Sequence, residues 1–301
     1  MTNGKKVVQC VPNFSEGRDL RKIDAILEVF RGKEEVKLLD YNCNKSYNRT
    51  VAVVIGEPKK VAEAMLEAME RAVFLIDMRV HEGQYPRMGA LDVVPFIPIR
   101  NMSMLEAIKI SRDFAKKAGK KFNIPIFLYG NSATRPERQD ICEIRKSEYE
   151  GMAQKIKRPE WEPDFGPKVI NVTAGVTGVG ARMPYVGLLI NLDTKDKIIG
   201  KNIARSINFA DGGLRFCRAI SLYREDKEKI QIVIDLTNFN NTNLYSVFEI
   251  IKFEIKRYGI SIVDTEISGI VSMDVLIDTA VYYLQINNFS RDKILENRLM
   301  E

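Results

Sequence analysis

Residues 49–78, "RTVAVVIGEPKKVAEAMLEAMERAVFLIDM", change period halfway along. "RTVAVVIG" is a short, β-branched apolar run, the pattern of a buried strand. Gly56 and Pro58 stop it. From about Lys59 to Met78, Val61, Met65, Ala68, Ala72 and Leu75 recur at helical spacing along one face. Such a helix needs a sheet to cover. Upstream, "VVQCVPNF" (7–14) alternates apolar and polar residues and breaks at "SEG". Asp19 then caps a helix whose face carries Ile23, Ile26, Leu27 and Phe30. "VKLLDYNCN" (36–44) reads as a further strand. The first 80 residues therefore read β-α-β-β-α, which suits a two-layer sandwich with helices on one side of a mixed sheet.

Downstream, "DVVPFIPI" (92–99) carries two prolines, which restrict it to an edge strand or a bulged one. Ser103 caps a helix, and "IPIFLYG" (124–130) is a buried strand. Residues 131–165 are polar and proline-punctuated, with one short helical stretch near Glu137–Arg145. "KVINVTAGVTGVGARMPYVGLLINL" (168–192) reads as a strand, a glycine-rich turn and a second strand. After about residue 184 the order becomes β-α-β-β-α-β. It runs through "PYVGLLINLDT", the hairpin "GLRFCRAISLYRED"/"KIQIVIDLTNF", a helix ending at Gly259, a short strand "ISGIVS" (267–272) and a last helix "DVLIDTAVYYLQ". No repeat recurs at a fixed period, so kinship between the halves rests on element order.

A chain of 301 residues, 45% hydrophobic and 29% charged, is globular and long enough for about two domains. No window supplies the roughly 18 apolar residues of a membrane span, and the apolar run at the N-terminus is too short for a signal peptide. The four cysteines (Cys10, Cys43, Cys142, Cys217) are scattered, so reduced thiols in a cytoplasmic protein are expected. One histidine and no cysteine cluster argue against structural zinc. The net charge of +6 belongs either to a solvated surface or to a protein that attracts anions. No nucleic-acid recognition motif accompanies it, and the basic residues are not gathered in a tail. A small polyanionic substrate fits this excess equally well.

The glycine run "TAGVTGVGAR" (173–182) is GxxGxG, lacks the Lys-Ser/Thr of a phosphate loop and leads into Pro184, which argues against a dinucleotide site. It is either a close-approach loop for a flat or anionic ligand or an interdomain turn. At the ends of the first two strands, "VPNFSEGRD" (11–19) and "LLDYNCNKSYNRT" (38–50) collect polar groups. Asp40 lies at the sheet end, and Asn48, Arg49 and Thr50 form a polar knot; turn chemistry explains the same residues. "HEGQYPRMGALD" (81–92) places His81, Glu82, Tyr85, Arg87 and Asp92 within twelve residues. It is either an ordinary turn before a strand or an acid–base site.

In order along the chain stand "VPNFSEG", "LLD…NRTV", "LIDM…HxGxxPRMGALDVVPFIP", "IPIFLYG", "R…YE…PxWxPDFGP", "GVTGVGAR" and "INL". Together they resemble the formiminotransferase domain of the formiminotransferase-cyclodeaminase family over nearly the whole chain. "GGLRFCRAI" and "LYSVFEIIKFEIKRYG" resemble its second subdomain. The resemblance implies an α+β fold of two α/β-sandwich subdomains, 1–184 and 185–301, each a mixed β-sheet covered by helices, with a ligand groove between them. It implies transfer of the formimino group from N-formimino-L-glutamate to N5 of tetrahydrofolate, in histidine degradation. Tetrahydrofolate is then a co-substrate, no metal is needed, the protein is a homodimer, and a separate cyclodeaminase is a partner. Neither a membrane nor nucleic acid is expected as a partner. The chain ends after about one formiminotransferase length, so the cyclodeaminase domain is expected to be absent.

The resemblance also assigns residues. The family's catalytic histidine is the second of an HxGxHPR pattern, and Tyr85 stands there; the first histidine matches His81. Tyr85 and His81 are the implied proton-transfer groups, with Asp40, which matches a family aspartate, as a further base. Arg87 is expected to take a carboxylate, and Asn48 to contact substrate. Folate is expected on Gly166, Pro167, Lys168, Val169, Ile170, Asn171, Val172, Thr173, Ala174 and Gly175, with Arg182 closing the block. A phenol is a weaker base than imidazole near neutral pH, which leaves three alternatives open. Tyr85 acts as acid while His81 or Asp40 is the base; the donor differs, for instance a formyl group; or the protein binds folate without transfer. A nucleic-acid or scaffold role rests on charge alone.

Overall fold

The computed structural model describes residues 5–225 and 227–300. It divides into two compact units, Met1–Arg182 and Met183–Glu301. In the first, β1 (Val7–Cys10) and β2 (Asn13–Phe14) are one strand interrupted around Pro12. Then come α1 (Leu20–Leu27), β3 (Val36–Asn44), β4 (Arg49–Gly56), α2 (Pro58–Leu75) and β5 (Leu91–Arg100). β4 and β5 flank the interrupted strand and β3 lies outside β4, all antiparallel. The unit continues with α3 (Met104–Phe122), β6 (Ile126–Gly130), α4 (Ile141–Arg145), α5 (Glu148–Lys155) and β7 (Thr177–Ala181). β7 pairs parallel to both β5 and β6, so this sheet is mixed, as expected.

Local sequence explains the helix starts. Asp19 accepts the amides of Arg21 and Lys22, Glu57 caps α2 ahead of Pro58, and Ser103 and Glu106 form a reciprocal capping box on α3. The apolar faces of α1, α2 and α3 bury Leu27, Met65, Met69 and Phe114 in one core with Val94 and Phe96 of β5. That burial, at roughly 1.5–3 kcal/mol for each large side chain, makes the sheet a rigid platform for the loops at its ends.

The second unit holds β8 (Val186–Leu192), α6 (Lys197–Ile207), β9 (Cys217–Arg224), β10 (Lys229–Leu236), α7 (Leu244–Lys256), β11 (Ile262–Ser268), α8 (Met273–Tyr283) and α9 (Leu295–Met300). Its sheet order is β11-β8-β10-β9. All three pairings are antiparallel, where a mixed sheet was expected. The reason is that β10 inserts between β8 and β9, so the two strands joined through α6 never pair. The order β5-β1-β4-β3 in the first unit is the same fourth-first-third-second arrangement. The two halves thus share a split β-α-β topology, and the first unit extends it with the parallel pair β7 and β6.

Several expectations shift. The glycine run is not a turn throughout: Thr177–Ala181 is the buried strand β7. Its glycines fit because a Cβ on Gly180 would lie 2.4 Å from the Tyr129 carbonyl oxygen. The residues before it, 168–170, form loop and not strand. β5 lies inside the sheet despite its prolines, and Ile99 is skipped in the register beside Pro98, the bulged alternative. The last strand is Ile262–Ser268, ending where "ISGIVS" begins to turn. Among the described residues, no helix is long and apolar enough to cross a membrane.

Candidate functional site

The loop before β4 ties the site together. Asn48 stands in the left-handed region, with φ of 49°, a conformation asparagine tolerates better than most residues. Its Oδ1 accepts the Gly17 amide at 2.9 Å and its Nδ2 donates to the Glu82 carbonyl at 2.9 Å. Its own carbonyl accepts from His81 Nε2 at 3.0 Å. One side chain and its backbone thereby join loops 15–18, 44–50 and 81–85. The approach is close enough that a Cβ on Gly83 would meet the Tyr47 carbonyl oxygen at 2.2 Å.

His81 is buried. Its Nδ1 accepts from Arg87 Nε at 3.2 Å, so the proton sits on Nε2 and both ring nitrogens are engaged. Burial pushes its pKa below the usual imidazole value, and the Arg87 charge adds to this against the opposing Asn48 carbonyl. His81 is therefore a neutral, fastened group.

Arg87 is saturated by the protein itself. Nη1 donates to Glu148 Oε2 at 3.0 Å and Glu150 Oε2 at 2.7 Å, while Nη2 donates to Glu150 Oε1 at 2.5 Å and the His81 carbonyl at 3.0 Å. The Glu150 hydrogen bonds hold the guanidinium pKa above its ordinary value and the Glu150 carboxyl below its own. The Tyr149 amide donates to the Arg87 carbonyl at 2.8 Å. Glu148 has a φ of 49°, a strained conformation where α5 starts just after α4.

Five residues along, the charges reverse. Asp92 is 0% exposed. Its Oδ2 accepts from Arg49 Nη1 at 2.9 Å and Arg145 Nη2 at 2.7 Å, and its Oδ1 from the Met88 amide at 2.9 Å. Burial works to raise the Asp92 pKa, but the two arginines outweigh it and hold the carboxyl below its usual range. Arg49 Nη2 also donates to Asn13 Oδ1 at 2.5 Å. The half-buried Tyr85 ring covers both guanidiniums, its centroid 4.5 Å from Arg49 and 5.6 Å from Arg145, and it packs against Tyr47. No described residue hydrogen-bonds its hydroxyl.

The 166–175 segment reaches the same place by its end. An Asn171 side-chain turn accepts the amides of Thr173 and Ala174. Ala174 accepts the Ala90 amide, Val176 donates to Met88, and Gly175, with φ of 72°, packs on the Met88 carbonyl. Tyr149 of α5 donates its hydroxyl to the Val172 carbonyl at 2.5 Å. Gly166 and Lys168 are exposed; Val169 and Val172 are 70% and 59% exposed. Pro167 and Ile170 are half-buried.

Two expected residues stand apart. Asp40 is exposed on β3, and its Oδ1 accepts only the amide of Tyr41 among the described hydrogen bonds. It pairs in register with Val53, four positions or roughly 13 Å along β4 from Arg49. Arg182 follows β7, its amide on the Phe96 carbonyl, four residues along β5 from Asp92. The sequence had named Arg49 and Asp92 without pairing them, and had given no role to Arg145, Glu148 or Glu150. Tyr149 and Glu150, the "YE" of the "R…YE" block, lie in α5, and that block was the signal that could have found these residues.

Models of the formiminotransferase domain match two stretches, its N-terminal subdomain over residues 7–182 and the formiminotransferase domain over residues 189–299. The chain is 43% identical to a glutamate formimidoyltransferase of Streptococcus pyogenes over 98% of its own length and 99% of the relative's. It is 39% identical to one from Thermoplasma acidophilum over 97% of each. With the formimidoyltransferase-cyclodeaminase of Rattus norvegicus it shares 38% identity over 92% of its length, and that match covers 52% of the longer relative.

Proposed function

Because the chain belongs to the formiminotransferase family, we propose that it transfers the formimino group of N-formimino-L-glutamate to N5 of tetrahydrofolate, the co-substrate. The match of the whole chain to single-function glutamate formimidoyltransferases carries this reading. In the reaction N5 bonds to the amidine carbon, the bond from that carbon to the glutamate nitrogen breaks, and the N5 proton ends on the departing nitrogen. An acid–base group must move that proton, and holding both substrates in reach supplies much of the rate.

The hydrogen bonds favour Tyr85 for the proton. Its hydroxyl is left to a ligand, whereas His81 would have to break a bond to Asn48 or Arg87 to act. His81 is then a positioning residue that fixes the loop carrying Tyr85. The loop 166–175 supplies exposed backbone and the Val169 and Val172 side chains to folate. A homodimer, a separate cyclodeaminase and a cytoplasmic location belong to the same reading, and sedimentation of the purified protein tests the first.

Formation of 5-formiminotetrahydrofolate from formiminoglutamate, followed by absorbance, is the test. Tyr85→Phe is expected to lower kcat by about 100-fold or more, and Tyr85→His, which restores the family's residue, to exceed Tyr85→Phe. Wild-type kcat in Tyr85→Phe would move the proton transfer to another group. Tight tetrahydrofolate binding with no turnover would leave a binding protein.

A further inference from the structure

The cluster around Asp92 holds more positive charge than it neutralises. Arg49 and Arg145 share a single carboxylate oxygen, and the other oxygen is taken by the Met88 amide. Both guanidiniums are nine-tenths or more buried, and arginine stays protonated there. Arg145 Nε is also buried and meets no acceptor among the described residues. A buried cation with an unmet donor is costly unless an anion completes it. The face of Tyr85, an aromatic ring and not an anion, lies over the pair. Arg87, by contrast, has its own two carboxylates and needs no third.

We propose that Arg49 and Arg145, held on Asp92 beneath Tyr85, form a subsite for a carboxylate of a glutamyl group. The planar fork of arginine suits that ligand. The identity of the ligand rests on the transferase reading; the excess charge does not. The carboxylate comes either from the formimino-glutamate donor or from the glutamyl tail of folate, and it docks at the edge of the Tyr85 ring, within reach of its hydroxyl. That position puts the reacting amidine of the donor beside the proton-transfer group; a folate tail there would instead set N5 an aminobenzoyl length away and move the proton transfer to another group.

The experiment titrates the full-length protein by calorimetry with L-glutamate, for the donor side, and with p-aminobenzoylglutamate, for the folate tail. One of the two is expected to bind at least ten times more weakly to Arg145→Gln, and Arg145→Lys to recover part of the loss. Asp92 keeps Arg49 in these variants, so the fold is expected to survive, and a urea midpoint checks it. In parallel, the KM of the corresponding substrate rises at least tenfold while the other KM stays within twofold. Should the variants fail to fold, the wild type still decides: the ring protons of Tyr85, assigned by comparison with Tyr85→Phe, must shift on adding one of the two probes. Unchanged binding and KM in Arg145→Gln, or an unmoved Tyr85 ring, overturns the subsite and leaves the transferase reading intact. Arg145-dependent binding without turnover does the reverse.

Discussion

Two ion clusters flank the same stretch and are mirror images in charge. Around Arg87 one cation lies between two carboxylates; around Asp92 one carboxylate lies between two cations. The first is closed: each of the guanidinium's nitrogens has a protein acceptor, and its carboxylates reach solvent, Glu150 at 62% side-chain exposure. The second is buried and carries an unmet donor. A saturated cluster on the surface fastens, here pinning α5 and His81 to the loop. A buried cluster with excess charge is built around something that arrives. The arginine in the motif is thus the structural one, and the arginine that the sequence left among turns stands where a ligand is expected.

Breaking the buried cluster should cost most. Asp92→Asn leaves two guanidiniums without a counter-charge and is expected to lose about 3–5 kcal/mol of stability, read by urea denaturation. A loss near zero would mean that Asp92 neutralises nothing. Arg87→Met frees carboxylates that water can solvate but strips His81 of its Nδ1 donor, so about 1–3 kcal/mol is expected in the same measurement. A larger loss than in Asp92→Asn would invert the ranking of the two clusters.

The smallest effect is the pH dependence of His81. Its folded pKa lies below the unfolded one, so the unfolded chain binds the extra proton first. Its contribution to stability is complete above the unfolded value of about 6.5 and is lost as pH falls through the lowered folded value. The chain has one histidine, so a single imidazole C2–H resonance in NMR reports the folded pKa directly. A midpoint at or above the free value would contradict the burial of the ring. In Arg87→Met the midpoint should move upward, because a neighbouring positive charge has gone.

Much of the fold was legible because it is local. Period-2 and period-3.6 runs, Asp19, Ser103 with Glu106, and Pro58 give strands, helices and their starts from contacts a few residues apart. The misread elements were those decided by neighbours. β7 is glycine-rich because strands crowd it, and β5 is interior because pairing on both sides outweighs two prolines. α5 was missed inside a polar segment whose amphipathic pattern is weak.

By itself the sequence determined the β-α-β-β-α order of the first 80 residues and its echo in the second half, and drew attention to residues 81–92 with Tyr85. Only the tertiary structure decided which charges meet there. Arg49 and Arg145 reach Asp92 from 43 and 53 positions away, and Glu148 and Glu150 reach Arg87 from 61 and 63. Spacing along a chain carries no record of such pairings. They follow from where the buried sheet sets the ends of its strands, and an ion pair's sign and saturation depend on every charge brought into that small, poorly solvated volume.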